Sequence, residues 1–395
     1  MFNLPVELQF QCLQPLDIET LKSFRLVNKA LSTLATEILF RTVSLLPTDT
    51  SAEKYTKILE NERLKPLVRR IIFNTSENPD ETETGACNPS ELLESFASAI
   101  GAITRFPNLR EVELKFAREC AAGDDLWEKE VEETIEFRTE VLDMLCSALQ
   151  HVEYASALTI KNLQDATADS VYASAEFQRV RDRLRKLHLQ IATENEDAAP
   201  ENSIEKPACH KAFEEDLPRQ WFTPPLQAQL THLTIYGTEC LWGVWPFVDL
   251  RRVPTFRSLK SLSLGNFTIV HKWQLDWIVS HSDTLEELLL DDCPIIMSLY
   301  MSEEQTRSNF PELIGKPIRR NGNYTSYLTH IDLRWYSVFS RFQTGLKNLT
   351  RFAIGQGDWD EQRAFEERYE LANRLLEDRY LIFDNGTGPS QWARG

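Results

Sequence analysis

The sequence predicts an α/β protein in which a short N-terminal helical module precedes a larger domain of parallel strands with outer helices. Two observations carry this prediction. Apolar residues recur every three to four positions in the first forty residues, which is the period of an amphipathic helix. Beyond them an L-x-x-L-x-L element recurs, and its period-two alternation is typical of a short strand with one buried face. The 395-residue length is sufficient for both parts.

The first forty residues predict three short helices. Pro5 stands where the first helix begins, since its missing N–H would be unpaired there in any case. Asp17 and Asn28 are the expected N-caps of the second and third helices. Chains of about 40 residues seldom close a core alone, so we expect part of this apolar surface to contact another molecule.

This segment contains, in fixed order, the motifs and residues Leu4-Pro5-x-Glu7-Leu8, Cys12-Leu13, Leu16, Leu21, Phe24-Arg25-Leu26-Val27-Asn28-Lys29, Leu34-Ala35 and Leu39-Phe40. Over roughly residues 2–45, this order resembles an F-box of the type common in fungal proteins. It implies a three-helix F-box at residues 1–45 that binds the Skp-family adaptor of a cullin-RING ubiquitin ligase. The expected adaptor contacts are Leu4, Pro5, Leu8, Leu13, Leu16, Leu21, Phe24, Val27, Leu31 and Leu34. Alternatively, the helices only cap the following domain, with their leucines packed inward.

The repeated element predicts the second domain, residues 46–384, as an irregular leucine-rich-repeat-like solenoid of parallel strands with outer helices. Its copies begin at Leu109, Leu184, Leu230, Leu259, Leu285, Leu328 and Leu349, with weaker ones at Val68 and Ala155. Leu233, Leu262 and Leu288 are 29 and 26 residues apart, close to one leucine-rich unit of about 20 to 29 residues. Helical patterns lie between strands, at 141–149 and 273–279. A terminal helix is expected after Asp358, followed by a flexible tail at 385–395.

The outward positions of these strands are the expected client-binding face, because solenoids commonly bind along their strand surface. The candidates are Lys186, His188, His232, Tyr236, Asp291, His330, Asp332 and Arg334. Three of them, His188, His232 and His330, are interpreted as occupying the same place in their strands. A cluster of Trp221, Trp242 and Trp245 is either a partner anchor or part of the core.

Composition and missing motifs exclude several function classes. The 60 acidic and 43 basic residues give a net charge of −17, which argues against nucleic acid and favours basic clients. The seven cysteines form no C-x-x-C pair and are expected to be reduced thiols. No apolar run reaches the roughly 18 residues of a membrane helix, so we expect a soluble protein of the cytoplasm, the nucleus or both. No hydrolase, zincin or nucleotide-binding motif occurs, so no catalytic residue, metal or cofactor is predicted.

Three functions remain open. The first is a substrate receptor of a Skp-cullin-F-box ligase, a non-catalytic subunit that contributes proximity and orientation. The second is an F-box and repeat scaffold that works outside a ligase. The third is an enzyme whose site forms from dispersed residues of the repeat domain.

Overall fold

The computed structural model describes residues 5–76, 94–118, 120, 133–166, 168–192, 211–238, 242–244, 246–303, 307, 316–321, 324–355, 380–383 and 386–389. These residues form an N-terminal helical module, a large parallel sheet with helices on one face, and a smaller sheet. The module consists of α1 (Val6–Leu13), α2 (Ile18–Phe24) and α3 (Lys29–Leu39).

Two predicted caps set the bounds of the module's helices. The Asp17 carboxylate accepts a hydrogen bond from the Thr20 backbone N–H at 2.8 Å. The Asn28 side chain accepts one from the Leu31 N–H at 2.9 Å. Each cap satisfies a backbone donor that the first helical turn leaves unpaired, so both predicted helix starts are confirmed.

The large sheet contains nine parallel strands, and their order in the sheet is their order in the chain, with β9, β10 and β11 of another sheet, within residues 296–330, between its last two strands. Its strands are β1 (Thr42–Leu45), β2 (Arg70–Asn74), β3 (Glu111–Lys115), β4 (Ala157–Gln164), β5 (Lys186–Ala192), β6 (His232–Thr238), β7 (Ser261–Gly265), β8 (Glu287–Asp291) and β12 (Arg351–Gly355). All eight pairings are parallel. The prediction of an α/β fold with parallel strands is therefore confirmed.

Helices connect successive strands, as parallel pairing requires, and they cover one face of this sheet. They are α4 (Asp49–Glu60), α5 (Glu94–Gly101), α6 (Ile135–Leu149), α7 (Asp169–Ala173), α8 (Ala175–Arg181), the π-helical segment Ala212–Trp221, α9 (Pro224–Gln229), α10 (Lys272–Val279) and α11 (Trp335–Gly345). Alternate strand residues such as Leu114 and Leu264 share one apolar core with helical residues such as Tyr55 and Val141. Trp221 and Trp242 are also buried in it, which favours the core interpretation; Trp245 lies outside the described residues.

Eight of the nine predicted copies of the repeated element coincide with strands of the large sheet. The copy at Leu328 does not, and that prediction was wrong. The region 324–330 instead pairs antiparallel with 296–302 in a second sheet. Its sequence, rich in tyrosine and threonine, suits a strand without needing the leucine spacing. Strand β1 is not among the predicted strands, because residues 42–45 fall within the predicted helical module.

The second sheet lies between β8 and β12 in the chain and near the C-terminus. It contains β9 (Ile296–Ser302), β10 (Lys316–Asn321), β11 (Tyr324–His330), β13 (Tyr380–Phe383) and β14 (Gly386–Pro389), in the order β10-β11-β9-β13-β14. Ile296, Leu299 and Ile331 form a small core with Val244 and Val270. Strand β14 falls within the predicted flexible tail, whereas the helix predicted after Asp358 lies outside the described residues.

Candidate functional site

The N-terminal module has a small core of its own. Its buried members are Leu13, Leu21, Leu31, Leu34 and Ala35. The first four were predicted adaptor contacts, and they instead hold the three helices together. The helical spacing that made them conspicuous in the sequence also turns them toward one another.

Outside that core, the module exposes a concentration of apolar side chains. The exposed fractions of Val6, Leu8, Ile18, Leu26 and Val27 are 60, 44, 62, 88 and 60%. In the part of the chain that the structure describes, eight large hydrophobic residues are exposed, and five of the eight lie within the 22 consecutive residues 6–27. Apolar exposure is typical of interaction surfaces when the exposed residues form one patch.

This surface overlaps the predicted adaptor contacts only in part. Pro5, Leu8 and Val27 are exposed, while Leu16 and Phe24 are half-buried against the module's core. Leu4 lies outside the described residues. The prediction also missed Val6, Ile18 and Leu26. The sequence does contain a signal for the exposure of Leu26 and Val27. Both lie in the turn between two helices, so they belong to no apolar helix face that would bury them.

A groove separates the module from the first strand of the large sheet. Its volume is about 470 Å³, and it is lined by Ile18, Leu21, Lys22, Arg25, Ile38, Leu39, Phe40, Thr42 and Ser44. Apolar side chains form most of the lining, and two cations lie among them. Ile18 lines this groove and is also one of the five exposed apolar residues of the module.

The sheet face opposite the helices was the predicted client surface, and its accessibility varies. Lys186 is exposed and His232 half-buried at the first residues of β5 and β6, where they pair with each other. His188 pairs with Thr234 in the next outward row and is buried. His188 and His232 therefore do not occupy the same place, contrary to prediction.

Two further client candidates are buried near the strand ends. Tyr236 forms an apolar cluster with Leu289 and Ala353 on this face. Its ring lies over Gly265, where an added Cβ would stand 1.7 Å from the ring. Asp291 at the end of β8 is also buried. Neither Tyr236 nor Asp291 can contact a client unless the chain rearranges.

The other three client candidates belong to a different part of the fold. His330 ends β11 of the second sheet, with its Nδ1 atom 2.8 Å from the Ser298 hydroxyl. Asp332 and Arg334 follow in the connection to α11 and are exposed. The predicted client set therefore divides into accessible residues at strand starts, buried residues further along the strands, and residues outside the large sheet.

A cluster of ion pairs on β2, β3 and β4 favours the charged form of the buried Glu113 side chain. Glu113 is 3% exposed, and its carboxylate contacts the Arg70 guanidinium and, at 3.2 Å, the Lys161 ammonium. Burial acts to raise the pKa of Glu113, but Lys161 and Arg70 lower it further, so the pKa lies below its usual value. The cluster spans three adjacent strands and binds them side to side.

No group of three or more His, Cys, Asp and Glu side chains within the described ranges is arranged to hold a metal ion. Across the same ranges, no helix has the length and apolar character needed to cross a membrane. A scan against protein-family models found no match, and a search of curated proteins found none with significant similarity.

Proposed function

We propose that the chain is an F-box-type substrate receptor. Its N-terminal module binds a Skp-family adaptor and, through it, a cullin scaffold, and the large domain holds a protein client. The observation that carries the proposal is the concentration of Val6, Leu8, Ile18, Leu26 and Val27 on the surface of a module whose own core has five buried residues. Burying each such side chain in a partner contributes about 1.5–3 kcal/mol.

We further propose that the large domain is a degenerate leucine-rich-repeat solenoid. Each unit adds one parallel strand beside the previous one, with leucines directed toward outer helices. The unit of β8 has the sequence Leu285-x-x-Leu288-x-Leu290-x-x-Cys293, which matches the repeat consensus including its cysteine. The Cys293 thiol is buried and donates to the Leu264 carbonyl of the preceding unit at 3.2 Å. This link between units supports the repeat interpretation.

The test is co-expression with a Skp-family adaptor, followed by size-exclusion chromatography. The informative variant is Leu8→Asp combined with Val27→Asp, because both side chains are exposed and the module's core stays intact. Losing two buried contacts should weaken the complex by about 10²- to 10⁴-fold. Tyr336→Asp is the matched control, since Tyr336 is 84% exposed but lies in the large domain.

Co-elution of wild type and Tyr336→Asp, together with loss in the double variant, is the expected result. If wild type elutes alone while a known F-box protein binds the adaptor, the proposal is wrong and the helices serve only as a cap. Recovery of cullin with the adaptor separates a ligase receptor from a scaffold that uses the same module outside a ligase.

A further inference from the structure

The nine residues that immediately precede the strands of the large sheet form a row along one edge. They are Arg41, Arg69, Arg110, Ser156, Arg185, Thr231, Lys260, Glu286 and Thr350. Each backbone N–H from Arg69 onward donates to the carbonyl of the previous member, at 2.8–3.0 Å. The ladder therefore fixes neighbouring members about one strand spacing, ~4.8 Å, apart.

This strand-start row is basic although the chain is acidic. Five of its nine members are Arg or Lys and one is Glu, whereas the whole chain has 60 acidic and 43 basic residues. Arg41, Arg69 and Arg110 stand on three consecutive strands. Like charges on neighbouring strands repel one another, so an anion bound along the row would relieve a cost that the fold otherwise carries.

The arginines of the row are not neutralised by carboxylates of the described chain. Arg69 donates to the Asn108 carbonyl at 3.4 Å, and Arg41 lies over the Phe10 ring. Lys260, by contrast, pairs with Glu286 at 2.8 Å. The uncompensated part of the row therefore runs from Arg41 to Arg185.

One of these arginines is held in place by an exposed aromatic ring. The Arg110 guanidinium lies 4.9 Å from the centroid of Tyr154, which is 53% exposed. Stacking restricts the guanidinium while leaving its N–H edge free to bind oxygen atoms in a bidentate manner. This arrangement suits a carboxylate or a phosphate.

We propose that the row from Arg41 to Arg185 binds an acidic segment of the client through its carboxylate or phosphate groups. Four strand spacings measure ~19 Å, about the length of six residues of an extended peptide. The inference rests on the proposed function, because it describes the client of that receptor. It also replaces the expectation of basic clients, since a local row of cations outweighs net charge at close range.

The test is fluorescence anisotropy with the full-length chain and four labelled probes. These are a peptide with six consecutive Asp and Glu residues, a phosphoserine peptide of equal length, a lysine peptide and a single-stranded oligonucleotide. The variant is Arg110→Glu with Arg185→Glu. The control is Lys54→Glu with Lys272→Glu, which reverses two exposed charges on α4 and α10.

The expected result is binding of the acidic or the phosphoserine peptide, weakened about tenfold or more in the row variant and nearly unchanged in the control. The two peptides show which anion the site prefers. Equal weakening in both variants would overturn the proposal, because it would indicate unspecific attraction. Absence of peptide binding, or tighter binding of the oligonucleotide, would overturn it as well. Adaptor co-elution is measured separately, so peptide binding without adaptor binding rejects the receptor function and leaves the anion site standing.

Discussion

The helical module and the large sheet use apolar residues in opposite ways. The module buries five core residues and exposes five large hydrophobic ones, whereas the sheet shares one extensive core with its helices. The polar face of the sheet is held by ion pairs such as that of Glu113. From this difference we expect the sheet to be stable by itself, and we propose that a partner covers the exposed apolar side chains of the module.

The largest effect should come from truncating a core leucine in each region. Leu114→Ala should lower the free energy of unfolding of the sheet domain by about 2–5 kcal/mol, because Leu114 is fully buried. Leu13→Ala should destabilise only the module. All nine tryptophans lie beyond residue 45, so urea unfolding followed by tryptophan fluorescence reports the sheet domain alone. An equal shift with Leu13→Ala would show that the two regions unfold as one unit.

A buried histidine should make the sheet domain sensitive to acid. Burial lowers the pKa of His281 from 6.5 to about 4, and its Nε2 atom accepts from the Phe256 N–H at 3.1 Å. The unfolded chain binds the extra proton first as pH falls, so stability decreases between about pH 6.5 and 4, by at most about 3 kcal/mol. His281→Gln should reduce this slope. Urea midpoints at pH 7.0, 5.5 and 4.5 provide the measurement, and an unchanged slope would contradict the assignment.

A glycine on the polar face should tolerate no side chain. Gly265→Ala places a Cβ against Tyr236, which must leave its cluster with Leu289, at a cost of about 1–3 kcal/mol. Gly101→Ala is the control, since nothing lies within 4 Å of its Cβ position and its φ of −59° suits alanine. Thermal unfolding should show a loss for the first variant only. The loss should disappear in a Tyr236→Ala background, where the clash is absent.

The smallest effect on stability should come from removing helix caps. One cap belongs to the module and the other to the sheet domain, so the two variants also distinguish these regions. Asp17→Ala and Thr48→Ala each remove a side chain that accepts from a backbone N–H of the first turn, worth about 1 kcal/mol. Thr48→Ala should shift the tryptophan transition because α4 packs on the large sheet. Asp17→Ala should leave it unchanged and instead accelerate hydrogen exchange in α2. If both variants shifted the tryptophan transition equally, the module and the sheet domain would not unfold as separate units.

Most of the large sheet could be predicted from the sequence because each unit repeats the same physical requirement. A strand that covers one helix layer needs apolar residues at alternate positions, and Leu262 and Leu288 meet that need in the same way. The second sheet has no such repeat. Strand β11 is formed by pairing with β9 on one side and β10 on the other, which no local pattern near His330 reveals.

The two proposed binding surfaces were harder to predict than the fold. Leu8 and Leu13 look alike in the sequence, yet the first is 44% exposed and the second fully buried. The helical period identifies the apolar face of a helix, but it does not show which leucines of that face stay exposed after the others have formed the small core. The strand-start row was missed for a related reason. Arg69 and Arg110 are 41 residues apart, and only the register of the sheet brings them together.

The insertion of the second sheet between β8 and β12 has a consequence for how the chain opens. Glu287 and Arg351 bond across 64 residues, whereas Ser261 and Glu287 bond across 26. Each doubling of the length of a closed loop costs about 0.6 kcal/mol in closure entropy, so we expect β12 to form late and to detach early. When β12 detaches, the backbone edge of β8 becomes available to another chain. Storage at high concentration should therefore produce dimers joined at this end, with β12 exchanged between copies.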